Sequence, residues 1–313
     1  MLGKTANGLF WMYRYFERAE NTARLIETGQ RIALTRSGSS EDEWRSVLQT
    51  AGVEAAFNAT GATLSKDSAI DWLLRAKDNP SSVRSCIASA RSNARLVRTA
   101  ITNEVWEATN SAYMAAEKHL ARKVGERDLN AVLGGLRQRA ALVRGSTHGT
   151  MLRNDVYNFA RLGTFLERAD NTARILDVKY YVLLPSVSAV GSSLDNVQWE
   201  TILRSVAGRG GFRMEYGNHF EPRDIAQFLI LDQRMPRSLA FCVGKLRDNL
   251  GYLASNYGKR GAAFTKADAI GKQYLSHDIE AIFDYGLHEF LQKIINELTD
   301  LGGQIENDYR FYK

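Results

Sequence analysis

Two octapeptides hold the densest acid–base chemistry in the chain: Glu17-Arg18-Ala19-Glu20-Asn21-Thr22-Ala23-Arg24 and Glu167-Arg168-Ala169-Asp170-Asn171-Thr172-Ala173-Arg174. On a helix turning about 100° per residue, Tyr13, Glu17, Glu20, Asn21 and Arg24 share one arc. Glu167, Asp170, Asn171 and Arg174 repeat that arrangement, with Arg18 and Arg168 turned aside in each copy. Carboxylates on such a stripe could move protons, and its guanidinia could hold a carboxylate or phosphate. Glu20 with Arg24, and Asp170 with Arg174, are also i, i+4 ion pairs of favourable polarity. An exposed face held only by such pairs would drift freely between copies. Retention of the pattern in both points instead to a buried, satisfied network or to one that touches a ligand. Glu17 sits mid-arc. Glu20 lies nearer the edge, with a simple i+4 partner.

A second candidate set is basic. Arg204, Arg209 and Arg213 gather among Gly208, Gly210, Gly211 and Gly217, where the first half has one charge, Glu54. A turn there would offer backbone N–H groups and guanidinia to an anion, and Arg237 with Ser238 joins this set. The plainer alternative is a basic helix end in water. No metal site is expected. His119, His148, His219, His277 and His288 form no Glu-x-x-His or His-x-x-x-His pattern, and Glu280, Asp284 and His288 align without a partner motif. Nothing reads as a P-loop, a dinucleotide fingerprint or a nucleophile elbow, so no cofactor is expected. Cys86 and Cys242, on apolar helix patterns, read as packing residues.

The elements that must position these groups are helical and repeated. The Glu-Arg octapeptides recur at an offset of 150 residues. Trp44 with Phe57 recurs as Trp199 with Phe212, at 155. Pro80, Ser82, Cys86, Arg91 and Asn93 recur as Pro236, Ser238, Cys242, Arg247 and Asn249, at 156. The spacing therefore predicts an all-α helical bundle of two tandem pseudo-symmetric repeats, residues 1–150 and 151–313, with five to six helices each. The Glu-Arg helices fall at 7–35 and 155–181. Further helices are expected over 88–98, 105–123, 129–144, 239–254 and 278–301. Asn79 reads as an N-cap with Pro80 at the first helical position, and Ser40 to Glu43 reads as a capping box. Residues 180–194 read as an uncharged linker.

Composition sets the outer bounds. With 313 residues, 44% of them apolar and only 4 prolines, the chain can bury a full core and is not a low-complexity polymer. A net charge of +6 suits anionic ligands but is no nucleic-acid signature. Charges interrupt the N-terminal apolar stretch, so neither a membrane span nor an export signal is expected, and the cytoplasm is the expected compartment.

The segment Leu9 to Arg24, with its Phe-Glu-Arg-Ala-Glu-Asn core, resembles the signature of the bacterial Alpha-E family, helical proteins named for their Glu-Arg motif. Blocks at 79–82, 103–107, 150–155, 161–177, 228–232 and 236–238 are similar to it, so the resemblance spans nearly the whole chain. Thr164 departs from it, standing where an arginine is usual. The resemblance implies no catalytic residue. It does imply genomic company: a circularly permuted ATP-grasp protein and a transglutaminase-like protein. The expected function is accordingly an accessory helical protein of an amide or peptide ligase or peptide-modification system, binding a substrate or the ligase. The alternatives are an enzyme using the Glu-Arg helices for acid/base chemistry and carboxylate binding, or a structural dimerisation module. A homodimer stays open.

Overall fold

The computed structural model describes residues 1–35, 40–182 and 193–312, with side chains described for 1–31, 41–177 and 198–312. Most of the expected linker, and the side chain of Ser40 in the expected capping box, lie outside the described residues.

The described residues form fifteen helices and no strand. The first seven are α1 (Gly3–Thr35), α2 (Ser40–Thr50), α3 (Glu54–Asn58), α4 (Lys66–Leu74), α5 (Val83–Leu96), α6 (Asn103–His119) and α7 (Glu126–Thr150). They are followed by α8 (Asp155–Val182), α9 (Ser193–Ser205), α10 (Arg209–Tyr216), α11 (Pro222–Ile230), α12 (Leu239–Tyr257), α13 (Ala262–Tyr274), α14 (Ile279–Tyr285) and α15 (Leu287–Asp308). The count exceeds five to six per half because short helices carry the connections.

The long helices α1 and α8 lie side by side at the centre. Helix α1 also packs on α5 and α7, and α8 on α12 and α15. The second helix of each half crosses over: α2 lies on α8, and α9 lies on α1. The apolar stripe Leu9, Met12, Phe16, Ala19, Ala23 and Ile26 of α1 is buried, as are Phe159, Leu162, Leu166, Ala169, Ala173 and Leu176 of α8. All belong to one continuous core. Burying such stripes, at roughly 25 cal/mol per Å2 of apolar surface, is what holds helices of mixed polarity in place. Small residues let the central pair approach closely: a Cβ on Gly163 would overlap the Phe10 carbonyl.

Three local expectations are corrected. The N-cap before α5 is Ser82, whose side chain accepts from the Ser85 N–H. Asn79 instead closes a turn, its Oδ1 accepting from the Ser81 N–H at 3.0 Å while its Nδ2 donates to the Trp72 carbonyl at 3.0 Å. The helix expected over 278–301 is broken at Gly286, whose φ of 108° no helix accommodates, leaving α14 and α15. The glycine-rich basic segment is helical from Arg209 to Tyr216. Buried Phe212 stacks there on Tyr216 at 4.7 Å and on Phe220 at 5.6 Å, and that anchor outweighs the poor helix propensity of the glycines.

Candidate functional site

The face between α1 and α8 carries the Glu-Arg motifs, and the two motifs bind each other. Arg168 on α8 forks onto Glu17 on α1, with Nε to Oε1 at 2.9 Å and Nη2 to Oε2 at 3.0 Å. Arg18 on α1 forks onto Glu167 on α8, at 2.5 and 3.0 Å. The arginines that point away from the arc of their own helix thus supply the acid of the opposite one. Bidentate pairs of this kind are strong and geometrically specific.

Each carboxylate has a further guanidinium. Glu167 accepts from Arg14 Nε at 2.9 Å. Glu17 accepts from Arg237 Nη1 at 2.8 Å, and Arg144 stands 3.7 Å from its other oxygen. Arg237 occupies the position of Ser81 in the first half, where the Ser81 hydroxyl accepts from Arg18 Nη1 at 3.4 Å. Thr164, standing in line with Arg14, turns its hydroxyl to the Ala160 carbonyl at 3.0 Å. The second half therefore supplies its extra guanidinium from the start of α12 rather than from α8.

Glu20 is not at an edge. Only 2% exposed, it is met by Arg24 at 2.8 Å, by Arg237 at 3.2 Å and by Arg144. Asn21 accepts from Arg237 at 2.9 Å. The second copy is shallower. Asp170 pairs with Arg174 at 2.8 Å, and both they and Asn171 are half-buried.

Burial alone would raise these carboxyl pKa values. The guanidinia more than reverse it, holding Glu17 well below the usual carboxylate range, Glu20 below its ordinary value and Glu167 down to about 2. A general base works best with a pKa near the operating pH, and these groups are far from it. The cysteines are inert for the opposite reason, since burial pushes both thiols up to about 12.

The other candidates do not converge. Arg204 and Arg209 share Glu200 Oε1, at 2.9 and 2.5 Å, and Arg213 is exposed on α10. Arg237 belongs to the Glu17–Glu20 network, while Ser238 caps α12 and donates to the Asp232 carbonyl. The break at Gly286 separates Glu280 from His288. Glu280 pairs with Arg223, and His288 pairs with Asp177 at 2.5 Å. No group of three His, Cys, Asp or Glu able to hold a metal occurs among the described residues, and none of their helices is long and apolar enough to cross a membrane. Sequence reasoning passed over Arg14 and Arg144. Arg14 sits three residues before Glu17 in an arginine-rich stretch, and nothing local marks Arg144.

The Alpha-E family, described as a predicted alpha-helical domain with a conserved ER motif, matches residues 1–309. The chain belongs to the Alpha-E family. Among curated proteins, this Alpha-E chain is 25% identical over 274 residues to an uncharacterised protein of Mycobacterium bovis and, equally, to one of Mycobacterium tuberculosis. Those matches cover 82% of this chain and 30% of each relative, so the chain spans about a third of their length. No solved structure matches.

Proposed function

We propose that this Alpha-E protein is a non-catalytic helical partner of an ATP-grasp-type amide or peptide ligase, with the Glu-Arg motifs as the clasp that fixes its shape. One observation carries the non-catalytic part: Glu17, Glu20 and Glu167 are buried and each engaged by at least two guanidinia. That arrangement uses these three acids to hold α1 against α8 and leaves none of the three poised to take a proton. The partner class rests on the family resemblance alone, and a transglutaminase-like protein is a second candidate in the same complex. A reducing cytoplasm is part of the proposal and suits two free buried thiols.

The proposal also takes residues 1–150 and 151–313 as tandem repeats about a pseudo-twofold. Three pairs of like geometry support this: the reciprocal Glu-Arg forks, the crossed packing of α2 and α9, and the thiols. Cys86 donates to the Pro80 carbonyl at 3.7 Å, and Cys242 to that of Pro236 at the same distance. Affinity capture from the native host with native mass spectrometry tests the function. Co-purification of an ATP-grasp protein at fixed stoichiometry is expected. Turnover of a peptide or amino-acid substrate by the isolated chain, abolished in Glu17→Gln, would overturn the reading.

A further inference from the structure

Arg161 stands out among the arginines that line the α1–α8 region. Arg14, Arg18, Arg24, Arg168 and Arg174 each meet a carboxylate. Arg161 is half-buried and has no ion pair with an acid among the described residues. Its guanidinium lies over the Phe165 ring at 4.2 Å, and Nη1 donates to His148 Nε2 at 2.8 Å. The residue 150 positions earlier, Trp11, donates its indole N–H to a carboxylate, Glu306, at 3.2 Å. One helix finds an acid at this position and the other an imidazole.

The imidazole cannot supply the missing charge. A guanidinium only donates, so His148 Nε2 must be the bare nitrogen, and Nδ1–H then donates to Tyr157 Oη at 2.9 Å. His148 is neutral in this arrangement, and partial loss of solvent, with Arg161, Arg153 and Arg144 around it, holds its pKa below the ordinary value. Arg153 lies over the Tyr157 ring at 4.2 Å and donates to the Met151 and His148 carbonyls at 2.7 and 2.6 Å. It too has no carboxylate partner among the described residues. Behind this face, six guanidinia (Arg14, Arg18, Arg24, Arg144, Arg168, Arg237) surround three buried carboxylates (Glu17, Glu20, Glu167). The local field is therefore positive. Among the described residues Arg161 Nε and Nη2 have no hydrogen-bond partner, and they form the fork that binds carboxylate or phosphate side-on.

We propose that Arg161, oriented by His148 and Phe165 and flanked by Arg153, is a binding site for a small oxyanion, a carboxylate or phosphate group, where α7 ends and α8 begins. This goes beyond the accessory role proposed above and needs no partner protein.

Calorimetric titration of the full chain with pyrophosphate and, separately, with citrate tests it, and the probe that binds tells phosphate from carboxylate. Binding of at least one probe is expected, weakened tenfold or more in Arg161→Gln, which is about 1.4 kcal/mol. His148→Glu would place an acid against Arg161 as Glu306 stands against Trp11. It should abolish binding while holding the melting temperature at or above that of wild type, and it carries the test should Arg161→Gln fail to fold. Failure of both probes to bind wild type at millimolar concentration, or unchanged affinity in the folded variants, overturns the proposal.

Discussion

Glu17 is 1% exposed and takes its guanidinia from beyond its own helix, so its removal strands Arg168 out of water and leaves Arg237 with Glu20 and Asn21 alone. Breaking a buried pair in this way costs about 3–5 kcal/mol. Glu20→Ala is expected to cost less. It is just as buried, but Arg24 and Arg144 are partly solvent-exposed and can rehydrate once it is gone. Urea midpoints of the two single variants check the order, and equal small shifts would remove the network from the stability account. The pH response follows from the same geometry. A carboxyl held lower in the folded chain than its free value of 4.5 contributes stability that is complete above that value. The contribution is lost as pH falls toward the folded value, about 2 for Glu167. The urea midpoint should therefore drop between about pH 4.5 and about pH 2, with a flatter slope in Glu167→Gln. The sequence placed both motifs on helix faces and turned Arg18 and Arg168 off the arc. It could not say where those arginines went, because an interhelical fork depends on the crossing of two helices 150 residues apart. No spacing within one helix encodes that crossing.

At the scale of the element, α2 and α9 end in the same turn made from different residues. The Gly52 N–H bonds the Gln49 carbonyl and Val53 the Leu48 carbonyl, at 2.8 and 3.0 Å. Ala207 bonds Arg204, and Gly208 bonds Leu203, at 3.0 and 2.7 Å. Gly52 has φ of 67°, and Ala207 must adopt 53°. The left-handed conformation costs a residue with a Cβ roughly 1–2 kcal/mol. Ala207→Gly should therefore stabilise the protein by about 0.5–1 kcal/mol despite the looser unfolded chain, and Gly52→Ala should destabilise it by a similar amount; thermal melts read both. Gly163→Ala tests the central packing and should cost about 1–3 kcal/mol or more, since a new Cβ would overlap the Phe10 carbonyl of α1. Helix type was legible from the apolar stripes, because i, i+3, i+4 spacing survives whatever the tertiary fold. Helix ends were less so. Asn79 and Pro80 look like a helix start, yet the turn they form serves the Trp72 carbonyl, a contact outside the local pattern. The glycines around Arg209 hid a helix that Phe212 secures through aromatic neighbours further along the chain.

For the molecule as a whole, the decisive fact is that each half takes ion-pair partners and covering helices from the other. Residues 1–154 expressed alone should fail to fold, since α1 would lose Arg168, Arg237, α8 and α9 together. Mixing that fragment with 155–313 should restore helicity, and circular dichroism of each fragment and of the mixture measures it. A cooperative melt of 1–154 alone would return the halves to independence. The two thiols carry a consequence for experiment. Each lies fully buried against a proline carbonyl at a matching place in its half, and neither ionises near neutral pH. An alkylating reagent can reach either one only when its surroundings open. Labelling rates at Cys86 and Cys242, resolved by peptide mass, would time the breathing of each half within one intact molecule, with no engineered reporter. Equal rates would mark a molecule that opens as a unit, and unequal rates would identify the half that yields first.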